Sequence, residues 1–166
     1  MFSVYKDLMT AQTALAKITT DGKLDLYCEV GENWVSLTLP IDTVSEANGG
    51  RSKTIQRNGK KIQKAEGWRK AHGRHKRQQG WVKLMLQPKK SILKLPCLIT
   101  LTRYAPRKLD KFDNLPMSMK WVLDALCAVI TGDYRPGRAD DTDEIDVKYK
   151  QVIWKEYGIH IVIEML

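Results

Sequence analysis

The chain has 166 residues, 43% of them hydrophobic, which suits one folded domain with a real core and excludes wholesale disorder. No run approaches the roughly 18 apolar residues of a membrane span, and Met1–Lys17 lacks the basic stretch, apolar core and cleavage site of a secretory signal, so the expectation is a cytoplasmic protein without membrane contact. A net charge of +9 points to an anionic partner, nucleic acid first.

In chain order, residues 5–17 suggest a short helix. Leu24–Val30 reads as a strand, Gly31-Glu32-Asn33 as a turn, and Trp34–Leu39 as a half-buried strand with Val35, Leu37 and Leu39 on one face. Pro40 ends it, and Ser45 to Gly59 reads as loop because Gly49-Gly50 and Asn58-Gly59 require turning backbone. A helix is predicted from about Lys64 to Leu86, with Trp68, Ala71, His75 and Gln79 on one face and basic residues around the rest. Gly73 and Gly80 weaken it, and Pro88 ends it. Leu95–Tyr104 alternates as a strand. Leu115, Met119, Val122, Leu126 and Val129 then mark the buried seam of a second helix, which Asp113 or Asn114 can cap and Gly132 can stop. Ile145, Val147 and Tyr149 alternate as a strand, and Ile159–Leu166 forms the last. This order predicts an α+β fold: a mixed β-sheet with helices packed on one side.

Charge is segregated along this chain. Residues 51–94 hold 15 Lys and Arg against one acid, Glu66, whereas residues 109–146 hold nine acids against four bases. A basic half suits a polyanion, and an acidic patch beside it would repel that polyanion unless a cation sits there. On the second helix Asp113, Lys120 and Asp124 lie within about 20° of one direction at about 100° per residue. Asp110 precedes the helix, and Asp140 and Asp141 precede the next strand, so three acidic stations are expected to meet at one end of the sheet. Such oxygen-only donors suit Mg²⁺, with Mn²⁺ as a substitute, and support phosphodiester hydrolysis. The same residues also read as ordinary helix caps, a solvated acidic loop and an i,i+4 ion pair.

The stretch Arg107-Lys108-Leu109-Asp110-Lys111-Phe112-Asp113-Asn114-Leu115, followed by Lys120, by Asp124-Ala125-Leu126 and by Asp140-Asp141, resembles the signature of the RusA family of Holliday junction resolvases. Asp143 and Tyr149-Lys150-Gln151 are similar to its phage and prophage branch. The resemblance spans about residues 33–166 as a RusA-like endonuclease domain. It leaves residues 1–32 as an N-terminal extension and residues near 50–65 as a basic insertion. Two residues separate the leading aspartates here, where the best-known pattern has one. The resemblance implies a homodimeric, Mg²⁺-dependent endonuclease acting on branched DNA, mainly four-way junctions. Asp110, Asp113 and Asp141 would be metal-binding catalytic acids, Asp140 a supporting metal-site acid and Lys120 the catalytic lysine.

Arg69, Lys70, Arg74, Lys76, Arg77, Arg107 and Lys108 are the expected phosphate contacts. Trp68 and Trp81 are expected to pack against the sheet, with stacking on bases as the alternative. His72 and His75 have no third ligand nearby, and Cys28, Cys97 and Cys127 read as reduced thiols. The charge distribution alone leaves a second reading open, a non-catalytic basic DNA-binding module of phage origin.

Overall fold

A computed structural model describes residues 18–46, 52–135 and 142–166. The helix expected at 5–17 and the acids Asp140 and Asp141 lie outside the described residues. The strands are β1 (Tyr27–Val30), β2 (Trp34–Leu39), β3 (Ser52–Arg57), β4 (Lys60–Ala65), β5 (Cys97–Ala105), β6 (Ile145–Ile153) and β7 (Gly158–Met165). Two helices, α1 (Trp68–Leu86) and α2 (Asn114–Thr131), are joined to this frame, and a 3₁₀ turn over Gln87–Ile92 follows α1.

Five strands make one mixed sheet in the order β1-β2-β7-β5-β6. β5 and β6 run parallel, and the other neighbours are antiparallel. The pleat and the register together build the core. Leu37 faces Ile161, Ile161 faces Leu101, and Leu101 faces Tyr149, so one apolar row crosses four strands. Val35, Ile163, Ile99 and Val147 make the next row. Both helices close over this face: Val82 and Leu86 of α1 and the α2 seam belong to one buried cluster with it. Each fully buried aliphatic side chain contributes about 1.5–3 kcal/mol. The predicted seam of α2 is buried throughout, and from Ala125 to Ile130 every residue is buried. Gly132 ends that helix in the left-handed region at φ 76, a conformation glycine adopts without steric cost.

The opposite face of the sheet is also buried but more polar. Trp34 and Val162 pack together there, beside Ser36, Thr38, Thr100 and His160. The Thr38 Oγ1 and His160 Nδ1 atoms are 3.1 Å apart. β1 lies within the segment read as an N-terminal extension, yet it forms one edge of this sheet.

Two elements differ from expectation. The basic stretch read as loop is the hairpin β3–β4. Its Asn58-Gly59 turn has φ 51 and 72, the two positive values of a two-residue hairpin turn. The helix predicted from Lys64 therefore starts at Trp68 and then runs unbroken through Gly73 and Gly80. Its buried row is Arg74, Gln78, Val82 and Leu86, not the face of Trp68, Ala71, His75 and Gln79. Trp68 is 73% exposed, which overturns its expected packing, whereas Trp81 does pack against the core. The reason is geometric. Stepping back by fours from the apolar anchors Leu86 and Val82 lands on two polar residues, which are carried inward and must find partners there.

Candidate active site

The acids Asp110 and Asp113 stand on one tight turn between β5 and α2. Asp110 Oδ1 accepts hydrogen bonds from the Phe112 and Asp113 N–H groups, both at 3.0 Å. Its carbonyl accepts from Leu115 N at 2.9 Å. The turn before the helix is thus closed by Asp110. Asp113 occupies the N-cap position, but its side chain makes no capping hydrogen bond. Both carboxylates are exposed at the positive end of the helix dipole, where negative charge is favoured.

The turn is held from below. Gln151 of β6 clamps Leu109, accepting from its N–H at 2.9 Å and donating to its carbonyl at 2.8 Å. Arg103 of β5, 3% exposed, donates through Nη1 to the Arg107 carbonyl at 2.8 Å and through Nε to Thr43 Oγ1 at 3.1 Å. Burial pushes the Arg103 guanidinium below its ordinary pKa. From the other side Ser45 Oγ donates to Asn114 Oδ1 at 2.6 Å, which brings the 41–46 loop to the start of α2. Neither clamp was assigned a role from the sequence. Gln151 did leave a signal: it takes an inward position in the series Ile145, Val147, Tyr149, where an apolar residue is expected.

Further along α2, Lys120 and Asp124 form an i,i+4 ion pair at 3.4 Å. Arg107 and Lys108 are exposed beside the acidic turn, as are Arg69, Lys70, Lys76 and Arg77 on α1. The last four lie within about 120° of one another around the helix at about 100° per residue, so they form one basic stripe. Arg74 does not belong to it. It is 8% exposed, donates to Glu46 at 2.7 Å and is bonded to Glu66. Its expected phosphate contact is corrected accordingly, since both its faces are taken by carboxylates. His75 is held by the same Glu46 and stacks on Trp121 with ring centroids 4.2 Å apart. Burial raises the Glu46 carboxyl, but the hydrogen bonds and charges of His75 and Arg74 outweigh it and hold the group below its ordinary value. Phe112, 86% exposed, stands between the two acids in the chain, with Lys111 Nζ 5.7 Å from its ring centroid.

Among the described residues no three His, Cys, Asp or Glu side chains converge on one point. The donors on the acidic turn are carboxylate oxygens, which fit a hard divalent cation rather than zinc. The chain on both sides of Asp140-Asp141 runs at the far end of the sheet from that turn. Glu144 O accepts from Cys97 N at 2.9 Å, at the start of β5, and Tyr134 Oη donates to Gln87 Oε1 at 3.0 Å, just after α1. The nine residues of β5 put about 26 Å between its two ends, and the acidic turn follows the other one.

The three cysteines are free. Burial pushes the Cys97 thiol up to about 11, with Asp146 adding to the effect. No helix among the described residues is long and apolar enough to cross a membrane.

No protein-family profile matches the chain, and no curated protein matches it. Among solved structures, the OmpA-like domain of FopA1 from Francisella tularensis subsp. tularensis SCHU S4 aligns over 93% of this chain and 92% of that one. The identity is 12% and the TM-score 0.32, too loose a superposition to assign fold or function.

Proposed function

We propose that this chain is a Mg²⁺-dependent, structure-selective endodeoxyribonuclease of the RusA kind, cutting four-way junctions or related branched DNA as a homodimer. One observation carries the reading. Asp110 and Asp113 are exposed on a single braced turn, and the Asp113 carboxylate is not spent on capping the helix. The side-chain oxygen of an ordinary cap would accept hydrogen bonds from the first-turn N–H groups; here Asp110 closes the turn and Asp113 is left for another partner.

Asp110, Asp113 and Asp141 would hold the metal, with Asp140 in support; when bound, it supplies activation of water and neutralisation of charge on the scissile phosphate. The chain's own residues do the rest. Arg107 and Lys108 take the flanking phosphates, and the α1 stripe takes the adjoining backbone. Lys120 is exposed and only loosely paired, so it can exchange Asp124 for a phosphate oxygen at small cost and stabilise charge that develops there. Gln151, Arg103 and Ser45 keep the acidic turn from shifting when the strand binds.

The described residues flanking Asp140-Asp141 stand at the opposite end of β5 from Asp110 and Asp113. The reading therefore takes Asp141 of the partner subunit into each site. A two-fold dimer is also what symmetric cutting of a junction requires.

Asp113→Asn is the test. On a labelled synthetic junction with Mg²⁺ the variant should cut about a hundredfold more slowly or not at all, while junction binding is kept or strengthened by the lost negative charge. If wild type cuts no branched DNA with Mg²⁺ or Mn²⁺ yet binds it, the chain is a non-catalytic DNA-binding module instead.

A further inference from the structure

β6 is the last strand of the five-stranded sheet, and among the described residues no strand pairs along its outer side. The parallel pairing with β5 sorts its backbone groups. Glu144 O accepts from Cys97 N, and Trp154 N donates to Ala105 O, both at 2.9 Å. The even-numbered residues therefore turn their N–H and C=O groups toward β5. Those of Val147, Gln151 and Ile153 point the other way, out of the sheet. Such an edge is a template for another strand. It runs for nine residues, whereas β1, at the opposite edge, has four.

The side chains say which strand this edge accepts. Asp146, Lys148 and Lys150 are exposed on the polar face of the sheet, with Glu144 exposed just before them. None of the four is held in an ion pair among the described residues. Lysines alone would blunt the edge, but two acids followed by two bases are complementary to their own reverse. An antiparallel copy must set outward-pointing backbone groups against each other, so odd-numbered residues meet odd-numbered ones. With Val147 on the two-fold axis, Asp146 stands opposite the partner's Lys148 and Glu144 opposite the partner's Lys150, each pair made twice. These are non-hydrogen-bonded positions, where opposed side chains come closest. The neighbouring registers fail on charge. An axis at Asp146 sets aspartate on aspartate, one at Lys148 sets lysine on lysine, and one at Tyr149 sets Lys148 against the partner's Lys150. On the helix face Ile145, Val147 and Tyr149 pack half-buried against the core. The favoured register lays Val147 on the partner's Val147 and Ile145 on the partner's Tyr149, so the apolar row of Val35, Ile163, Ile99 and Val147 runs on into the second copy.

We infer that β6 is the dimer interface: two copies of this chain pair their β6 strands antiparallel about Val147 and join their sheets into one. On the nuclease reading, on which this second part rests, the same pairing completes each site. Within one chain the segment leading into β6 lies a strand's length from the acidic turn. Reversing the partner's strand spans that length. The partner's Asp143 comes opposite Gln151, whose amide holds Leu109 just before Asp110. The partner's Asp141, two residues earlier in the chain, is delivered opposite Ile153, whose neighbour on β5 is Ala105. The acidic turn leaves the sheet from that residue.

The interface is tested without DNA or metal, by sedimentation of the full-length protein. Wild type should be a dimer. Lys148→Glu puts a like charge opposite Asp146 at both positions, and Asp146→Lys does the same to Lys148. Each should weaken dimerisation about tenfold or more. Mixing the two variants restores opposite charges at both positions, so the mixture should dimerise as tightly as wild type. The double variant Asp146→Lys/Lys148→Glu should do so by itself, which it would not in a register centred on Lys148. Recovery also shows that the single variants are folded. A wild type that stays monomeric at about 0.1 mM, a dimer untouched by either single substitution, or a loss that neither the mixture nor the double variant recovers would overturn the interface. Junction cutting with Mg²⁺ is the second arm. Lys148→Glu should lose cutting in step with its dimer and regain it on mixing with Asp146→Lys; full cutting by the monomeric variant would overturn the shared site. A wild type that dimerises through this edge yet cuts nothing would sink the nuclease reading and leave the interface standing.

Discussion

Arg74 and Arg77 are three residues apart on one helix and live in different media. Arg74 is enclosed between Glu46 and Glu66, so removing it leaves Glu66 without this cation and Glu46 with only His75, in a poorly hydrated place. Arg74→Met should lower the unfolding free energy by about 3 kcal/mol, seen as a drop in Tm. Arg77→Ala should change stability by less than about 0.5 kcal/mol and instead reduce the salt dependence of DNA binding by about one counterion. The reverse pattern in melts and salt titrations would refute the burial argument. Glu46 adds a pH signature. Its carboxyl titrates below the ordinary 4.5 in the folded chain and near that value once unfolded. Its contribution to stability is therefore complete above pH 4.5 and is lost as pH falls through the lower folded value. In melts from neutral to acid pH, wild type should exceed Glu46→Gln in Tm, and the gap should close on the acid side; a gap independent of pH would count against the network. None of this was legible in the sequence. A count of charges cannot separate an arginine facing water from one facing two glutamates, and Glu46 and Glu66 lie 28 and eight residues away from Arg74 in the chain.

At the scale of elements, legibility followed the apolar pattern. β2 alternates cleanly and was read with its observed bounds, and α2 was read with its full seam because five apolar residues repeat at helical spacing. β3 and β4 were missed: their apolar members Ile55 and Ile62 pair across the hairpin but stay exposed, so no buried face announces them. The loop from Pro106 to Asp113 was legible for its acids but not for its bracing, because Gln151 meets it across 42 residues of chain. That clamp is testable. Gln151→Leu keeps the bulk in an inward position and removes both hydrogen bonds to the Leu109 backbone, leaving a part-buried N–H and C=O unmet. The expected loss of stability is about 2 kcal/mol. Because the freed segment leads directly into Asp110, Mg²⁺-dependent cleavage should fall about tenfold or more even at temperatures where the fold is intact. Junction affinity, carried by surface cations, should hold. An equal loss in binding and cutting would show that the clamp merely stabilises the fold.

For the whole molecule the sequence separated a basic half from an acidic one, and it suggested acids meeting at one end of the sheet. The connectivity qualifies that second expectation. The β5–β6 pairing is parallel, a feature invisible to periodicity, and it sends the chain after α2 back to the Cys97 end before β6 begins. On the proposed reading, a site using both Asp113 and Asp141 is shared between the two protomers of a two-fold dimer, and this has a consequence that no single substitution reveals. Asp113→Asn and Asp141→Asn homodimers each lose one acid from every site and should both be inactive. Mixed dimers differ. If each site is shared, one of the two sites in a mixed dimer pairs the intact Asp113 of one protomer with the partner subunit's Asp141 and is whole, while the other lacks both. Unfolding and refolding the two inactive variants together should therefore restore Mg²⁺-dependent nicking of one strand of a labelled junction, without the paired cuts that resolve it. If each site is built within one chain, every site in the mixed dimer carries one substitution and no activity returns. Size-exclusion of differently tagged copies confirms that mixed dimers formed, so a silent mixture with mixed dimers present would place both acids in the same protomer.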